Sequence, residues 1–260
     1  MSVRALVLRT AGINCDIETQ FAWETAGAVA DRIHINRVIE RPRMLLEYQV
    51  LTIPGGFSYG DDIASGKIFA NQLVHHLSDV IQEFLAADRL VLGICNGFQV
   101  LVRSGLLPGR TAGRPSLDLS ATLTNNDSGK FEDRWVHLRT DTDRCPFLEK
   151  GETLDLPVAH GEGKFIPASD LSVGALSAAG QVALRYVGPD GKTGAGYPWN
   201  PNGSLADIAG VCDPTGHVLG LMPHPERHIS PVHHPQWTRR PKAREGDGLA
   251  IFRRGVKYFK

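Results

Sequence analysis

The fold of this chain is decided by residues 89–101, which read Arg-Leu-Val-Leu-Gly-Ile-Cys-Asn-Gly-Phe-Gln-Val-Leu. The uncharged run Leu90–Ile94 predicts a strand buried on both faces, as in a parallel sheet. A helical pattern begins directly after Cys95. Gly93 and Gly97 lie two residues to either side of the cysteine, a spacing typical of a sharp turn that exposes the central side chain. The stretch therefore predicts a strand, a tight turn and a helix, with a cysteine in the turn.

Cys95 is predicted to be a nucleophile. The N-terminus of the following helix directs unpaired N–H groups and a partial positive charge at the sulfur, which favours the thiolate over the thiol. The alternative is a small buried hydrophobic side chain, a common fate of a free cysteine. The paired glycines have no packing reason in that case, so we favour the nucleophile.

The composition excludes several classes of function. The 260 residues are 42% hydrophobic and 22% charged, and basic and acidic residues number 28 each. This balance argues against nucleic acid or an anionic membrane as a partner. The N-terminal apolar stretch is too short for a signal peptide, and no apolar run approaches the roughly eighteen residues of a membrane span. We therefore expect a soluble, cytoplasmic protein.

The four cysteines, at positions 15, 95, 145 and 212, show neither a C-x-x-C motif nor regular spacing. They predict neither a zinc ribbon nor a disulfide framework. Cys15 is expected in a loop near the same sheet edge as Cys95. For this residue we favour a turn position without a chemical role.

The order of predicted elements is that of an open α/β sheet. Asp16 is a plausible N-cap for the first helix. Strands are predicted at 3–8, 29–35, 50–53 and 90–94, and helices at 17–26, over 66–87 as one or two helices, and at 97–104. Short strands follow at 117–124, 134–140, 153–159, 181–187, 204–212 and 217–222, before an amphipathic helix at 247–259.

The second half is expected to add an antiparallel portion, because Asp213-Pro-Thr-Gly216 predicts a hairpin. No linker or internal repeat divides the chain, so residues 1–260 are predicted to form a single domain. The predicted fold class is α/β, a flavodoxin-like mixed, mostly parallel sheet with helices on both faces.

A glycine-rich loop, residues 54–60, follows the third strand, where open α/β sheets collect their ligands. Gly55 and Gly56 allow backbone N–H groups to approach a substrate oxygen, as in half of an oxyanion hole. The other half would be the N–H of Asn96, next to the nucleophile. A plain turn is the alternative. Residues 60–67 resemble a phosphate-binding loop but have the wrong glycine spacing, and we find no nucleotide site.

The last short strand ends before Pro223-His224-Pro225-Glu226. A cysteine nucleophile needs an imidazole that takes its proton, and the imidazole needs a carboxylate that fixes its tautomer. His224 and Glu226 fit these roles. A metal site on His224 and His228 is an alternative, but it lacks a third ligand, and we expect no metal.

Three motifs resemble those of class I glutamine amidotransferases: Gly-Gly-Phe-Ser-Tyr-Gly-Asp at 55–61, Gly-Ile-Cys-Asn-Gly-Phe-Gln at 93–99 and Pro-His-Pro-Glu at 223–226. More narrowly, the chain resembles the glutaminase subunits (subunit I) of phosphoribosylformylglycinamidine synthases. That narrower resemblance depends on Asn96-Gly97-Phe98, Gly12-x-Asn14-Cys15-Asp16, His160-Gly161-Glu162-Gly163 and Asn200-Pro-Asn-Gly-Ser204.

The resemblance implies a Cys95–His224–Glu226 triad that hydrolyses glutamine, with the oxyanion held by Gly56 and Asn96. It further implies substrate contacts from Gly55, Phe57, Ser58, Gln99, His160 and Glu162. Ammonia would pass to a large synthetase subunit that converts formylglycinamide ribonucleotide to formylglycinamidine ribonucleotide in purine biosynthesis. ATP and magnesium are expected on that partner and no cofactor in this chain, and a small accessory subunit is expected in the complex.

Two other functions remain open on the sequence. The chain could be an amidotransferase glutaminase that serves a different ammonia acceptor, because a triad does not identify the acceptor. It could also be a redox sensor on a similar sheet that uses Cys95. Residues 227–246 form a basic segment, either a solvated loop or a docking surface for the synthetase subunit.

Overall fold

The computed structural model describes residues 2–109, 113–117, 119–168, 171–241 and 243–260. The strands in these ranges are β1 (Arg4–Arg9), β2 (Val29–His34), β3 (Val50–Ile53), β4 (Leu90–Ile94), β5 (Ala121–Thr124), β6 (Glu132–Thr140), β7 (Thr153–His160), β8 (Lys164–Pro167), β9 (Val182–Val187), β10 (Ile208–Cys212) and β11 (Val218–Leu221). The helices are α1 (Asp16–Thr25), α2 (Ile35–Glu40), α3 (Lys67–His76), α4 (Ser78–Ala86), α5 (Asn96–Arg103), α6 (Val173–Ala178) and α7 (Leu249–Lys257).

Short 3₁₀ turns connect these elements at Pro42–Glu47, Ser58–Asp61, Leu205–Asp207, Pro225–Arg227, Pro231–His233 and Trp237–Arg239. None of the helices in the described ranges is both long and apolar enough to cross a bilayer.

The main sheet, as far as the described residues show it, has nine strands in the order β2-β1-β3-β4-β11-β10-β9-β6-β7. The strands from β2 to β11 in this order are parallel, and β10, β9, β6 and β7 join antiparallel. β4 lies between β3 and β11, so the carboxyl ends of these three strands meet at one edge. The loop after β3, Cys95 and the segment before His224 therefore emerge side by side.

Helices cover both faces of the sheet. The indole N–H of Trp23 in α1 donates to the hydroxyl of Thr52 in β3 at 2.9 Å. The next strand residue, Ile53, contacts Gly97 of α5. Because successive strand residues point to opposite faces, α1 and α5 lie on opposite sides. This arrangement confirms the predicted α/β class with its mostly parallel sheet and its antiparallel addition.

A glycine is required where α5 meets β3. A Cβ atom on Gly97 would lie 1.8 Å from the carbonyl oxygen of Ile53. Real Cβ atoms do not approach backbone that closely, so any larger residue would push α5 away from the sheet. Gly97 thus sets the short distance between the strand and the helix that flank Cys95.

Several predicted boundaries agree with the structure. β3 and β4 have the predicted ends, the pattern over 66–87 forms two helices, and β10 and β11 form the predicted hairpin. β8 and the short helices α2 and α6 were not predicted, because elements of four to six residues are too short to show a clear period. Only Ala121–Thr124 of the strand predicted at 117–124 is observed, and residue 118 lies outside the described residues.

Two predictions about local structure are wrong. Asp16 is not the N-cap of α1; Cys15 occupies that position, and the carboxylate of Asp16 pairs with Arg32 at 3.0 Å. The first turn of a helix favours this acidic residue through the helix dipole. The strand predicted at 204–212 begins only at Ile208, because Ala206 and Asp207 have positive φ values of 51° and 58° that no strand accommodates.

Candidate active site

Cys95 occupies the turn between β4 and α5 in a strained conformation. Its φ is 51° and its ψ is −105°, outside the usual regions for a residue with a side chain. Its N–H donates to the carbonyl of Leu221 in β11 at 2.8 Å. Strain of this kind costs about 1–3 kcal/mol and persists only where the surroundings hold it in place. The neighbouring strand therefore fixes the direction of the Cys95 side chain.

The Cys95 side chain borders two cavities. The two cavities share one wall. The first, called the histidine-side cavity, has a volume of about 250 Å³, and its other lining residues are Asn14, Cys15, Asp133, His224 and Arg227. The acidic-side cavity, of about 240 Å³, is lined beyond that wall by Asp61, Ser65, Gln99, His160, Gly161 and Glu162. The shared wall consists of Gly56, Phe57, Cys95, Phe131 and Ala159. Cys95 thus borders one space that contains His224 and Arg227 and another that contains Asp61 and Glu162.

His224 and Glu226 form a buried pair. Nδ1 of His224 lies 2.6 Å from Oε1 of Glu226, and the two residues are 1% and 2% exposed. The N–H of His224 donates to the carbonyl of Pro157 in β7 at 2.8 Å, which anchors the backbone. Nε2 of His224 is buried and, within the described part of the chain, has no hydrogen-bond partner. That nitrogen remains available for a proton from the cavity.

The charges around His224 favour its protonated form. Burial alone lowers the pKa of an imidazole, but the Glu226 carboxylate and the nearby Cys95 and Cys15 thiols outweigh burial and raise the pKa of His224 well above its usual value. Cys95 and His224, some 130 positions apart in the chain, line the same cavity. The imidazole therefore shares a site with two thiols and one carboxylate.

Both predicted oxyanion donors are neighbours of Cys95, since Gly56 lines both cavities with it and Asn96 follows it in the chain. Gly56 has a φ of 141°, and a Cβ atom there would lie 2.7 Å from the N atom of Asn14. The bridge between Ile13 and Gly56 uses the Gly55 carbonyl and the Phe57 N–H, so it does not use the Gly56 N–H. Asn96 is the first residue of α5, so its N–H has no partner within the helix.

The Asn96 side chain joins the glycine-rich loop to α5. Its Oδ1 accepts from the Ser58 N–H at 3.1 Å, and its Nδ2 donates to Gln99 Oε1 at 2.9 Å and to Asp61 Oδ1 at 3.2 Å. These bonds hold the loop after β3 against the helix N-terminus. The spacing between Gly56 and Asn96 therefore depends on a buried amide side chain.

Two carboxylates, Asp61 and Glu162, line the acidic-side cavity, whereas among the described residues Asp133 is the one carboxylate in the lining of the histidine-side cavity. Burial raises the pKa of Asp61, and the negative charge of Glu162 adds to the effect. Nε2 of Gln99 donates to the carbonyl of Glu162 at 2.6 Å, which holds this segment against α5. Burial lowers the pKa of His160 to about 3, so this imidazole is neutral, and its Nδ1 lies 3.1 Å from Oδ1 of Asn126.

Four of the six predicted substrate contacts line a cavity: Phe57, Gln99, His160 and Glu162. Gly55 and Ser58 are not among the lining residues. Gly55 packs behind the wall, where a Cβ atom would lie 2.7 Å from Cε1 of His224. Ser58 is buried, and its N–H is occupied by Asn96. These two residues support the site from behind.

Cys15 lies at the same sheet edge as Cys95, as predicted, and lines the histidine-side cavity. Its Sγ is 4.0 Å from Nδ1 of His224 and accepts a hydrogen bond from Nη2 of Arg227 at 3.1 Å. Burial raises the pKa of Cys15 to about 11. This proximity arises because Cys15 follows β1, which pairs with β3.

Three residues of the histidine-side cavity were not predicted from the sequence. Phe131, Asp133 and Arg227 line the histidine-side cavity, although no motif singled them out as parts of a site. Phe131 directly precedes β6 and Asp133 is its second residue, far from Cys95 in the chain. Their proximity arises from the antiparallel half of the sheet.

His228 does not join His224 as a second ligand. Its Nδ1 lies 2.6 Å from the carbonyl oxygen of Asp155, and its ring packs edge-on against Trp135 at 4.9 Å. The basic segment 227–246 is partly held in place, since Arg240 pairs with Asp155. Trp237 is 51% exposed, and residue 242 lies outside the described residues.

Comparisons with known proteins give a family match over almost the whole chain. Residues 2–259 match the family described as CobB/CobQ-like glutamine amidotransferase domain. The phosphoribosylformylglycinamidine synthase subunit PurQ of Dehalococcoides mccartyi is 43% identical over 258 residues, which cover 98% of this chain and 97% of the relative. The protein of the same name from Treponema denticola is 42% identical over 271 residues, which cover 99% of each.

Two solved structures match the fold of this chain. A chain in the structure of PurLQS from Thermotoga maritima matches over 100% of both chains, with a TM-score of 0.74 and 31% identity. A glutamine amidotransferase from Thermotoga maritima matches over 92% of this chain and 82% of its own, with a TM-score of 0.51. That second protein is 19% identical, so the likeness is one of fold.

Proposed function

The chain belongs to the CobB/CobQ-like glutamine amidotransferase family, and from this premise we propose that it is the glutaminase subunit of phosphoribosylformylglycinamidine synthase. It hydrolyses glutamine to glutamate and supplies ammonia for purine biosynthesis. The relatives that match nearly the whole chain carry the name of that synthase. The observation that supports the chemistry most directly is the buried His224–Glu226 pair beside the strained Cys95.

In the first chemical step the proton of the Cys95 thiol would move to Nε2 of His224, whose pKa is raised by Glu226 and by Cys95 itself, so that a thiolate faces an imidazolium before glutamine is attacked. Glu226 accepts the Nδ1 proton in a 2.6 Å hydrogen bond, so it fixes the tautomer and stabilises the imidazolium. The thiolate then attacks the side-chain amide carbon of glutamine. The N–H groups of Gly56 and Asn96 would stabilise the oxyanion, at about 3 kcal/mol for each donor.

The second step releases ammonia. The His224 imidazolium gives its Nε2 proton to the departing nitrogen, the carbon–nitrogen bond breaks, and a thioester on Cys95 remains. His224 then takes a proton from water, which attacks the thioester. The returning proton restores the thiol as glutamate leaves. The same nitrogen thus acts first as a base, then as an acid, then again as a base.

Glutamine would bind with its α-amino group in the acidic-side cavity. Asp61 and Glu162 supply two carboxylates there, whereas the described lining of the other cavity has one, Asp133, together with the basic groups of Arg227 and His224. Gln99, which holds the Glu162 segment, would set the position of this recognition site. Phe57 and Phe131, with ring centroids 6.4 Å apart, would contact the methylene groups between the two cavities.

We expect the reaction to take place in a complex with other subunits. Residues 1–260 would act as one domain in the cytoplasm, with a large synthetase subunit, together with a small accessory subunit, as its partners. ATP and magnesium would belong to the synthetase subunit. The continuous sheet, built from both halves of the chain, supports the single domain. The name PurLQS of the structural relative supports an assembly.

The test measures glutamate release by the chain mixed with its synthetase partner, and amidine formation from formylglycinamide ribonucleotide. We expect glutamine-dependent product with the parent and none with Cys95→Ala, whereas added ammonia should restore the product with that variant. Glutamate release without transfer to this ribonucleotide would identify another acceptor. Release that persists in Cys95→Ala would exclude the catalytic cysteine.

A further inference from the structure

Cys15 adds a second thiol to the site that the glutaminase reaction does not use. Ligand atoms of Cys15, His224 and Glu226 all lie within 4.8 Å of one another. The three residues are 1%, 1% and 2% exposed. Oε2 of Glu226 is buried and has no hydrogen-bond partner among the residues that the structure describes. A sulfur, a nitrogen and an oxygen donor thus converge in a buried space beside Cys95.

We propose that Cys15, His224 and Glu226 form an inhibitory zinc site that overlaps the catalytic machinery. Zinc accepts thiolate, imidazole and carboxylate ligands in a tetrahedron, often from three side chains with a fourth position open to water. Calcium and magnesium prefer sites built from oxygen atoms alone. The mixed donor set therefore selects zinc over the abundant hard cations.

The distances require only small movements. A tetrahedral zinc ion places sulfur and nitrogen ligands about 3.5 Å apart and nitrogen and oxygen ligands about 3.3 Å apart. The corresponding separations are 4.0 Å between Cys15 Sγ and His224 Nδ1, and 2.6 Å between His224 Nδ1 and Glu226 Oε1. The thiol would move inward and the carboxylate outward, each by less than the length of a bond.

The charges around the three ligands suit a divalent ion. Zinc would face two negative ligands, the Cys15 thiolate and the Glu226 carboxylate. Arg227 donates to Cys15 Sγ at 3.1 Å and favours the thiolate, but it also repels a cation. Glu18 accepts from Nε of Arg227 at 2.8 Å and offsets this repulsion. The site therefore favours zinc once the thiol has lost its proton.

Binding would release one proton and change no oxidation state. The Cys15 S–H bond breaks and its proton goes to solvent, while the ring proton of His224 leaves Nδ1 and is carried on Nε2, so that zinc binds the sulfur and Nδ1. With zinc on Nδ1, the neutral ring keeps its proton on Nε2. That nitrogen can then no longer accept a proton from Cys95, so the reaction stops before the attack on glutamine.

The inhibition rests on the proposed function, whereas the metal site can be measured without it. In the complex with its synthetase partner, the glutaminase activity of Cys15→Ser at each zinc concentration is measured relative to the zinc-free activity of the same variant. Its half-inhibiting zinc concentration should rise at least about tenfold, because serine removes the soft ligand. Cys212→Ala removes a buried thiol in β10 and should leave zinc inhibition unchanged.

A second measurement uses Co²⁺ as a spectroscopic substitute for zinc. Cys95→Ala should bind one Co²⁺ with a thiolate charge-transfer band, and Cys95→Ala/Cys15→Ser should lose that band. Two results would overturn the proposal. One is the same half-inhibiting zinc concentration for Cys15→Ser and the parent, and the other is the absence of the charge-transfer band in the single variant Cys95→Ala. If the parent shows no glutaminase activity, the cobalt titration still decides whether the site exists.

Discussion

Nδ1 of His224 lies 2.6 Å from Oε1 of Glu226, and both side chains are almost completely buried, while Nε2 on the far side of the ring has no partner among the described residues. Two residues apart on a tight turn, they present one oriented imidazole to a cavity that Cys95 also borders. A carboxylate in this position raises the basicity of the ring and fixes which nitrogen faces the substrate.

Glu226→Gln should impair proton transfer with little effect on substrate binding. An amide cannot stabilise the imidazolium and can leave the ring in the wrong tautomer, so we expect kcat to fall by about 10²- to 10⁴-fold. KM for glutamine should change by less than about threefold, since Glu226 does not line either cavity. Steady-state glutamate release measures both. A kcat near that of the parent would contradict the role of Glu226.

Glu162→Gln should weaken glutamine binding. Removal of one carboxylate from the acidic-side cavity takes away attraction for the α-ammonium group, so KM should rise by about tenfold with kcat nearly unchanged. Glu83→Gln, an exposed substitution on α4, is the matched control. If KM is the same for both variants, the ammonium group binds elsewhere.

Gly97→Ala should destabilise the fold strongly. The added methyl group would meet the carbonyl of Ile53, and the resulting shift of α5 should cost about 3 kcal/mol or more in the free energy of unfolding. Gly174→Ala in α6 has space for the methyl group and should be neutral or slightly stabilising. Urea unfolding of the two variants and the parent provides the comparison, and equal midpoints would be inconsistent with the close approach.

The stability of the protein should fall in mild acid because of His160. Its pKa is lowered from about 6.5 in the unfolded chain to about 3 in the folded protein, chiefly by burial. A lowered pKa contributes stability that is present above pH 6.5 and is lost as the pH falls toward 3. Urea midpoints measured from pH 7 to pH 4 should therefore decline.

The matched variants for this pH dependence are His160→Gln and His75→Gln. His160→Gln should reduce the loss of unfolding free energy between pH 7 and pH 4, by several kcal/mol at most. His75→Gln changes an exposed residue of α3 and should keep the parent slope. Identical slopes for the parent and His160→Gln would show that His160 does not cause the acid sensitivity.

Local sequence patterns were sufficient to predict several strands, the turn at Cys95 and the pair of His224 and Glu226. The aliphatic run before Cys95 and the run Val50–Ile53 predicted β4 and β3 to the residue, because strands buried on both faces need continuous apolar side chains. The glycines around Cys95 predicted its turn, since few other residues allow so close an approach of strand and helix. Pro223-His224-Pro225-Glu226 likewise placed a histidine and a carboxylate within two residues of each other.

Only the tertiary structure decided which distant residues share the site. Cys15 and Arg227 are separated by more than two hundred positions, and their contact exists because β1, β3, β4 and β11 end at one sheet edge. Asp133 reaches the cavity through antiparallel pairing at the other side of the sheet. A sequence pattern reports the neighbours of a residue along the chain, whereas these contacts depend on strand order and register, which are set by packing of the whole sheet.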